Sequence, residues 1–255
     1  FLLFLLLLGW TNHLANTQDA QQMAGRWSEK KDVAQISCFF SSKAEVTEDT
    51  IQSFEYSLKN VLQEASITET SENPSARLWV DAYSADGKIT LVNGRNTLDA
   101  NAIGIGGDFF LFHPLKLITG SYFSGNDLMQ DYCIIDQDAA WQLFGSNDVV
   151  GMTVYIGNVP HIVTGVVRRP QGRMEKAAGL TSTVVYVSYE SLEAYGTNNG
   201  INHYEIVMPN PVDEFAYGKV KEGIGIDEKN VEIVENSRRY SLPNRIKTIL
   251  AFGTR

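Results

Sequence analysis

Cysteine is nearly absent from this chain. Only Cys38 and Cys133 occur in 255 residues, too few for a disulfide framework, and no CxxC or Cys/His spacing points to zinc. Each stands in an apolar run, which predicts buried free thiols. A bridge between them needs Cα atoms within about 7 Å, and the two runs fall in different lobes of the expected fold. Histidine is also sparse. His13, His113, His161 and His203 show neither HxH nor HExxH spacing, so structural roles are expected. There is no GxSxG elbow to support a hydrolytic serine. Gly104-Ile105-Gly106-Gly107 fits neither GxGxxG nor GxxxxGK[ST] and is expected to be a tight crossing of the chain. Basic residues are outnumbered, 21 Lys and Arg against 30 Asp and Glu, for a net charge of −9. A phosphate-binding face needs clustered cations, so nucleic acid is excluded as a partner.

Long apolar runs are missing except at the start. FLLFLLLLGW is ten residues, half of the roughly 20 that span a bilayer. Its Leu and Phe cover every face, so it reads first as the end of a membrane helix, with the apolar core of a signal peptide and a buried N-terminal helix as the alternatives. Thr11 to Arg26 is polar and is expected to carry that helix outward as a stalk.

The most patterned stretch is Thr119 to Val167. A Gly-aromatic turn, Gly120-Ser121-Tyr122-Phe123, opens it. Tyr132 to Ile135 has the length of a strand. Asp136 stands at an N-cap and Gln137 to Phe144 makes about two helical turns. Gly145 then sits where a left-handed C-terminal cap is favoured. Met152–Ile156 and His161–Val167 are β-rich and flank Gly157-Asn158, a hairpin signal. Asp136 and Asp138 invite a reading as paired catalytic carboxylates. An N-cap and a first-turn acid explain them better. Trp141 and Phe144 are expected in the core, and the other aromatics are spread along the strands.

The flanking chain is ordinary α+β. Val33–Phe40 predicts a strand. Thr47 caps a helix whose core face is Ile51, Phe54, Leu58, Val61, Leu62 and Ala65. Ala76–Tyr83 and Lys88–Val92 flank Asp86-Gly87, which predicts a hairpin. Thr97–Ile105 is a further strand and Asp108–Phe112 a short helical turn. Arg168 to Leu180 is a basic loop with Arg168, Arg169, Arg173 and Lys176, which reads as an ordinary solvated loop or, functionally, as a contact for an acidic partner or lipid headgroups. Strands follow at Thr183–Val187, Tyr204–Met208 and Val231–Val234, with helices after Ser188 and at Pro211–Val220. Ser241-Leu242-Pro243-Asn244 resembles a helix start and is expected to open a second apolar helix.

Gly107-Asp108-Phe109-Phe110, Leu117 to Phe123 and Asp127, then Asp136, Ala140, Leu143-Phe144-Gly145, Val150-Gly151, Val154, Ile156 and Ile162 to Val167 together resemble the MacB-like extracytoplasmic core domain of ABC transporter permeases of the MacB/FtsX/LolC type. The likeness covers nearly the whole chain. It implies an α+β fold of two lobes, a porter-like βαβ-type lobe with a second strand–helix–hairpin lobe inserted into it, flanked by membrane-helix ends. The expected division is 1–30 for helix end and stalk, 31–105 with 200–237 for the porter-like lobe, 106–199 for the inserted lobe, and 238–255 for the start of the next stalk or helix. Arg238, Arg239, Arg245 and Lys247 then lie on the external side. The positive-inside bias runs against this, though long domains translocate largely regardless of charge.

The resemblance further implies a non-catalytic domain outside the cell membrane, with no catalytic, cofactor or metal residues. It would couple cytoplasmic ATP hydrolysis to movement, for export or extraction of peptide, lipoprotein or antibiotic, or for control of a partner. Implied partners are a cytoplasmic ABC ATPase subunit, a second permease copy as homo- or heterodimer, and an extracytoplasmic adaptor, peptide or lipoprotein cargo. The alternative is a membrane-anchored binding or sensor module unconnected with transport. A cell-surface hydrolase has no motif behind it.

Overall fold

The computed structural model describes residues 2–28, 32–68, 77–169, 182–239 and 246. Eight helices and eleven strands alternate among them. In chain order they are α1 (Leu2–Asn16), α2 (Met23–Trp27), β1 (Val33–Phe40), α3 (Glu48–Glu64), β2 (Val80–Asn93), β3 (Asn96–Gly107), α4 (Phe109–Phe112), β4 (Leu117–Gly120), β5 (Tyr132–Asp136), α5 (Gln137–Phe144), β6 (Thr153–Ile156), β7 (Val159–Val167), β8 (Val184–Ser188), α6 (Tyr189–Tyr195), β9 (Thr197–Asn198), β10 (His203–Pro209), α7 (Phe215–Gly223), β11 (Val231–Glu235) and α8 (Asn236–Arg239). The chain forms two compact units, Phe1–Asp81 with Tyr204–Arg255, and Ala82–His203.

In the first unit β1 lies between β11 and β10 and runs antiparallel to β11, with Cys38 opposite Ile233. Residues 34 to 38 are buried on both faces, as befits a central strand. Two of them are polar and both are satisfied. Gln35 accepts from the Met23 N–H (2.8 Å) and donates to the Ala20 carbonyl (2.6 Å). Ser37 donates to Glu205 (2.7 Å) and accepts from Asn236 (2.7 Å). Helix α3 buries Ile51, Phe54, Leu58 and Leu62, and the Phe54 ring meets Tyr204 edge-on at 5.7 Å. Val61 is half-buried and Ala65 exposed, so the core stripe is narrower than the sequence suggests.

In the second unit the strands close a circuit. β2 pairs with β3 from Ala82–Gly107 to Asn93–Asn96. β3 runs parallel to β8, β8 antiparallel to β5, and β5 parallel to β7. β7 pairs with β6, which returns to β2 through Leu91–Ile156. Closure leaves few free edges; β4 adds to β7 and β9 to β2. The Leu143 carbonyl, in the last turn of α5, accepts from both Asn93 (3.1 Å) and Asn96 (2.9 Å) at the β2–β3 tip.

Several sequence expectations need correction. No hairpin forms at Asp86-Gly87, because β2 runs straight through it; Ala76 lies outside the described residues. Gly87 serves close approach, since a Cβ there would lie 2.4 Å from the Thr197 carbonyl oxygen and 2.9 Å from a Leu192 methyl. The turn comes at Asn93-Gly94-Arg95-Asn96, with Gly94 at φ +61°. Gly104 to Gly107 are in β3. There a Gly106 Cβ would meet the Tyr83 ring, which explains the glycine without a separate crossing. Helix α7 begins at Phe215, later than Pro211, because Glu214 adopts a left-handed φ of 66° and Asn210 accepts from the Ala216 N–H (3.0 Å). α1 ends at Asn16, and α2 is a separate helix beyond a 3-10 turn at Asp19–Gln21. No described helix is long and apolar enough to cross a membrane. Ser241 to Asn244 lie outside the described residues.

Candidate functional site

The basic loop singled out from the sequence can be built from its base. Asp136 ends β5 and caps α5, its Oδ1 accepting from the Ala139 N–H (2.8 Å). Its Oδ2 accepts from Arg169 Nε (3.0 Å) and from the Val184 N–H (3.1 Å). Arg169 also reaches Asp138 (2.7 Å) and the Thr183 hydroxyl (3.1 Å). Arg169 begins the loop and Thr183-Val184 closes it, so one carboxylate ties both ends to the sheet. Asp136 is 3% exposed and Arg169 16%; Arg169 sends both Nε and an Nη to the one Oδ2, a charge-assisted and mostly buried pair. Asp136 and Asp138 are thus cap and clamp. Arg169 is committed to them, while Arg168 projects into solvent with its N–H on the Lys116 carbonyl (2.8 Å). Arg173 and Lys176 lie outside the described residues.

A second polar cluster surrounds His161. It is buried, with Nδ1 3.0 Å from the Val159 carbonyl and Nε2 2.9 Å from Ser191 Oγ. Burial lowers its pKa below the ordinary 6.5. Ser191 also lies 2.8 Å from the Gln130 carbonyl, which Ser188 approaches at 2.9 Å. The pair looks like a nucleophile and base, yet both side chains are sealed in and Ser188 caps α6 through the Ser191 N–H (3.1 Å). Its work is to hold the Gln130 carbonyl.

Two features were not visible in the sequence. Aromatics expected to be dispersed converge in the second unit. Phe110 stacks on Tyr122 (4.6 Å, 9°) and meets Phe123 and Tyr186 edge-on. Trp141, expected in the core, is 58% exposed, since the short α5 buries only Ala139, Ala140 and Leu143. In the first unit, Tyr204 donates to Asp81 (2.9 Å), and Asp81 hydrogen-bonds Glu55, whose pKa is pushed up to about 8 by burial and by that carboxyl neighbour. These partners are far apart in sequence, so spacing carries no sign of them. The cysteines are free and buried; burial pushes Cys133 up to about 12 and Cys38 higher still.

The Asp136–Arg169 and His161–Ser191 clusters are thus caps, clamps and strand ties within a mixed α+β domain. The model of the MacB-like periplasmic core domain matches residues 7–233, and the chain belongs to that family. Over 81 residues it is 32% identical to the macrolide export ATP-binding/permease protein MacB of Pasteurella multocida, covering 31% of this chain and 12% of that protein. The Neisseria gonorrhoeae protein of the same name is 36% identical over 80 residues, 30% of this chain and 12% of its own length. The chain thus matches about an eighth of these relatives. Among solved structures, the periplasmic region of MacB from Actinobacillus actinomycetemcomitans has the same fold, with TM-score 0.50 and 19% identity over 85% of this chain and 92% of the other.

Proposed function

We propose that this chain is the extracytoplasmic part of a permease that couples ATP hydrolysis by a cytoplasmic ABC ATPase to movement outside the membrane. The match to the periplasmic core domain family across residues 7–233 carries this reading. In it, residues 31–105 with 200–237 make the porter-like lobe and 106–199 the lobe inserted into it, with membrane helices on either side. The permease works as a pair with a second copy, as homo- or heterodimer. Its task is export or extraction of a peptide, lipoprotein or antibiotic, or control of an extracytoplasmic partner. The basic loop contacts that adaptor, cargo or headgroup. Arg168 is its exposed described cation, with Arg173 and Lys176 further along; Arg169 fixes the base and does not itself dock.

The test is cross-linking of the full-length protein in its own membranes, with adducts identified by mass spectrometry. An ABC ATPase and a second permease chain are the expected partners. Recovery of neither would reject the transport reading. Reversing Arg168, Arg173 and Lys176 to Glu is expected to weaken any extracytoplasmic adduct at least threefold while leaving the ATPase adduct intact.

A further inference from the structure

Leu128 is fully exposed, at 102% of its reference area, and Met129 beside it is 50% exposed. A lone exposed leucine is unremarkable. Here, however, the chain on both sides is fixed in place. Before it, Gly125 is buried against the backbone of Gly106 and Gly107: its N–H donates to the Gly107 carbonyl (3.1 Å), and a Cβ would lie 2.4 Å from Gly106 Cα. Ser124 and Asp127 close a tight turn, with the Ser124 N–H on Asp127 Oδ2 (3.0 Å) and the Asp127 N–H on the Ser124 carbonyl (3.1 Å). After it, the Gln130 carbonyl sits between the hydroxyls of Ser188 and Ser191, and the Asp131 carbonyl accepts from the Ile162 N–H (2.8 Å). The Gln130 amide reaches back to the Asp127 carbonyl (2.6 Å), across the base of the tip. Tyr132 donates to the Met129 sulfur (3.4 Å).

We propose that Leu128 and Met129 form a preorganised apolar knob that inserts into a pocket of another protein, a pocket lined with apolar side chains and rimmed by Lys or Arg. Prior fixing of the backbone lowers the ordering cost of docking. A two-residue apolar tip suits a recess, since interface hot spots are desolvated anchors set in pockets. The charges argue for protein over lipid. Between Ser121 and Tyr132 the chain carries Asp127 and Asp131 and no Lys or Arg, whereas membrane-surface elements surround their apolar residues with cations. The proposal rests neither on the transport reading nor on the basic loop.

The experiment places benzoylphenylalanine at position 128 of the full-length protein in its own cells, with the same label at exposed Tyr56 as control. The expected result is a protein adduct at 128 and not at 56. Its cross-linked peptide should map to an apolar recess with Lys or Arg within reach. The purified partner should then bind Leu128→Asp at least tenfold more weakly and Leu128→Met within about threefold of the parent. Leu128→Asp must keep the parent's thermal midpoint, as a fully exposed position allows; a shared loss of folding would overturn the picture of a free tip. A lipid adduct, with binding to phosphatidylglycerol–phosphatidylethanolamine vesicles, would overturn the proposal. So would an adduct to a second copy alone, no adduct, or equal affinity of the Asp variant.

Discussion

Arg169 and Asp136 lock the two ends of one loop to one strand. Arg169 Nε stands 3.0 Å from Asp136 Oδ2, the oxygen that also accepts the Val184 N–H from the loop's far side. Removing the cation strands a nearly buried carboxylate. Arg169→Ala is expected to destabilise the protein by about 3–5 kcal/mol. Arg169→Lys should recover only part of that, because an ammonium cannot reproduce the planar fork. Urea unfolding of the three proteins decides it, and an Ala variant as stable as the parent would show that the clamp does not matter.

Gly87 tests the corrected topology. If Asp86-Gly87 were a turn, alanine there would be a local matter of φ. In a continuous β2 the new methyl strikes the Thr197 carbonyl and Leu192, and overpacking of this kind costs about 1–3 kcal/mol. Gly94→Ala meets no atom within 4 Å but holds a left-handed φ of +61°, for about 1–2 kcal/mol. Amide exchange separates them: Gly87→Ala should expose the Thr197–Asn198 pairing, and Gly94→Ala should not.

Glu55 predicts a pH dependence. Its ordinary pKa of 4.5 is raised to about 8 in the fold by burial first, then by Asp81 and Glu48. Between those values the folded state holds a proton that the unfolded state has released. Stability from this group is therefore complete below about pH 4.5 and is lost as pH climbs through about 8. Glu55→Gln keeps a neutral side chain and should flatten the decline between pH 5 and 8 relative to the parent. Parallel curves for parent and variant would refute the assignment.

Both thiols should be inert in the folded protein. Cys38 and Cys133 are fully buried, and burial disfavours the thiolate in each. The thiolate is the reactive form. Iodoacetamide at pH 8 is expected to leave both unlabelled under native conditions and to label both in denaturant. Rapid native labelling of either one would contradict its burial.

Local structure was legible wherever a few adjacent residues decide it. Asp136, Gly145 and Ser188 cap as expected, β1 spans the predicted Val33–Phe40, and Gly157-Asn158 turns with both residues at positive φ. The Asp86-Gly87 error has a physical cause. Glycine serves a turn and a close backbone approach equally well, and sequence does not distinguish the two. Asn93-Gly94, where the chain does turn, carries the same kind of Asx-Gly signal. The loop was legible as a basic surface, but its division into the clamp Arg169 and the exposed Arg168 was not. That division depends on Asp136, 33 residues away.

The sequence by itself determined the caps, most strands, the α+β class and, through an ordered set of motifs, the family. These rest on short-range sterics and hydrogen bonding within a few residues. Tertiary structure alone decided the closed circuit from β2 round to β6, the convergence of Phe110, Tyr122, Phe123 and Tyr186, the Glu55–Asp81–Tyr204 contact and the anchoring of Gln130 beneath Leu128. Each joins groups distant along the chain, whose meeting depends on strand order and register, and strand order follows from packing the whole core.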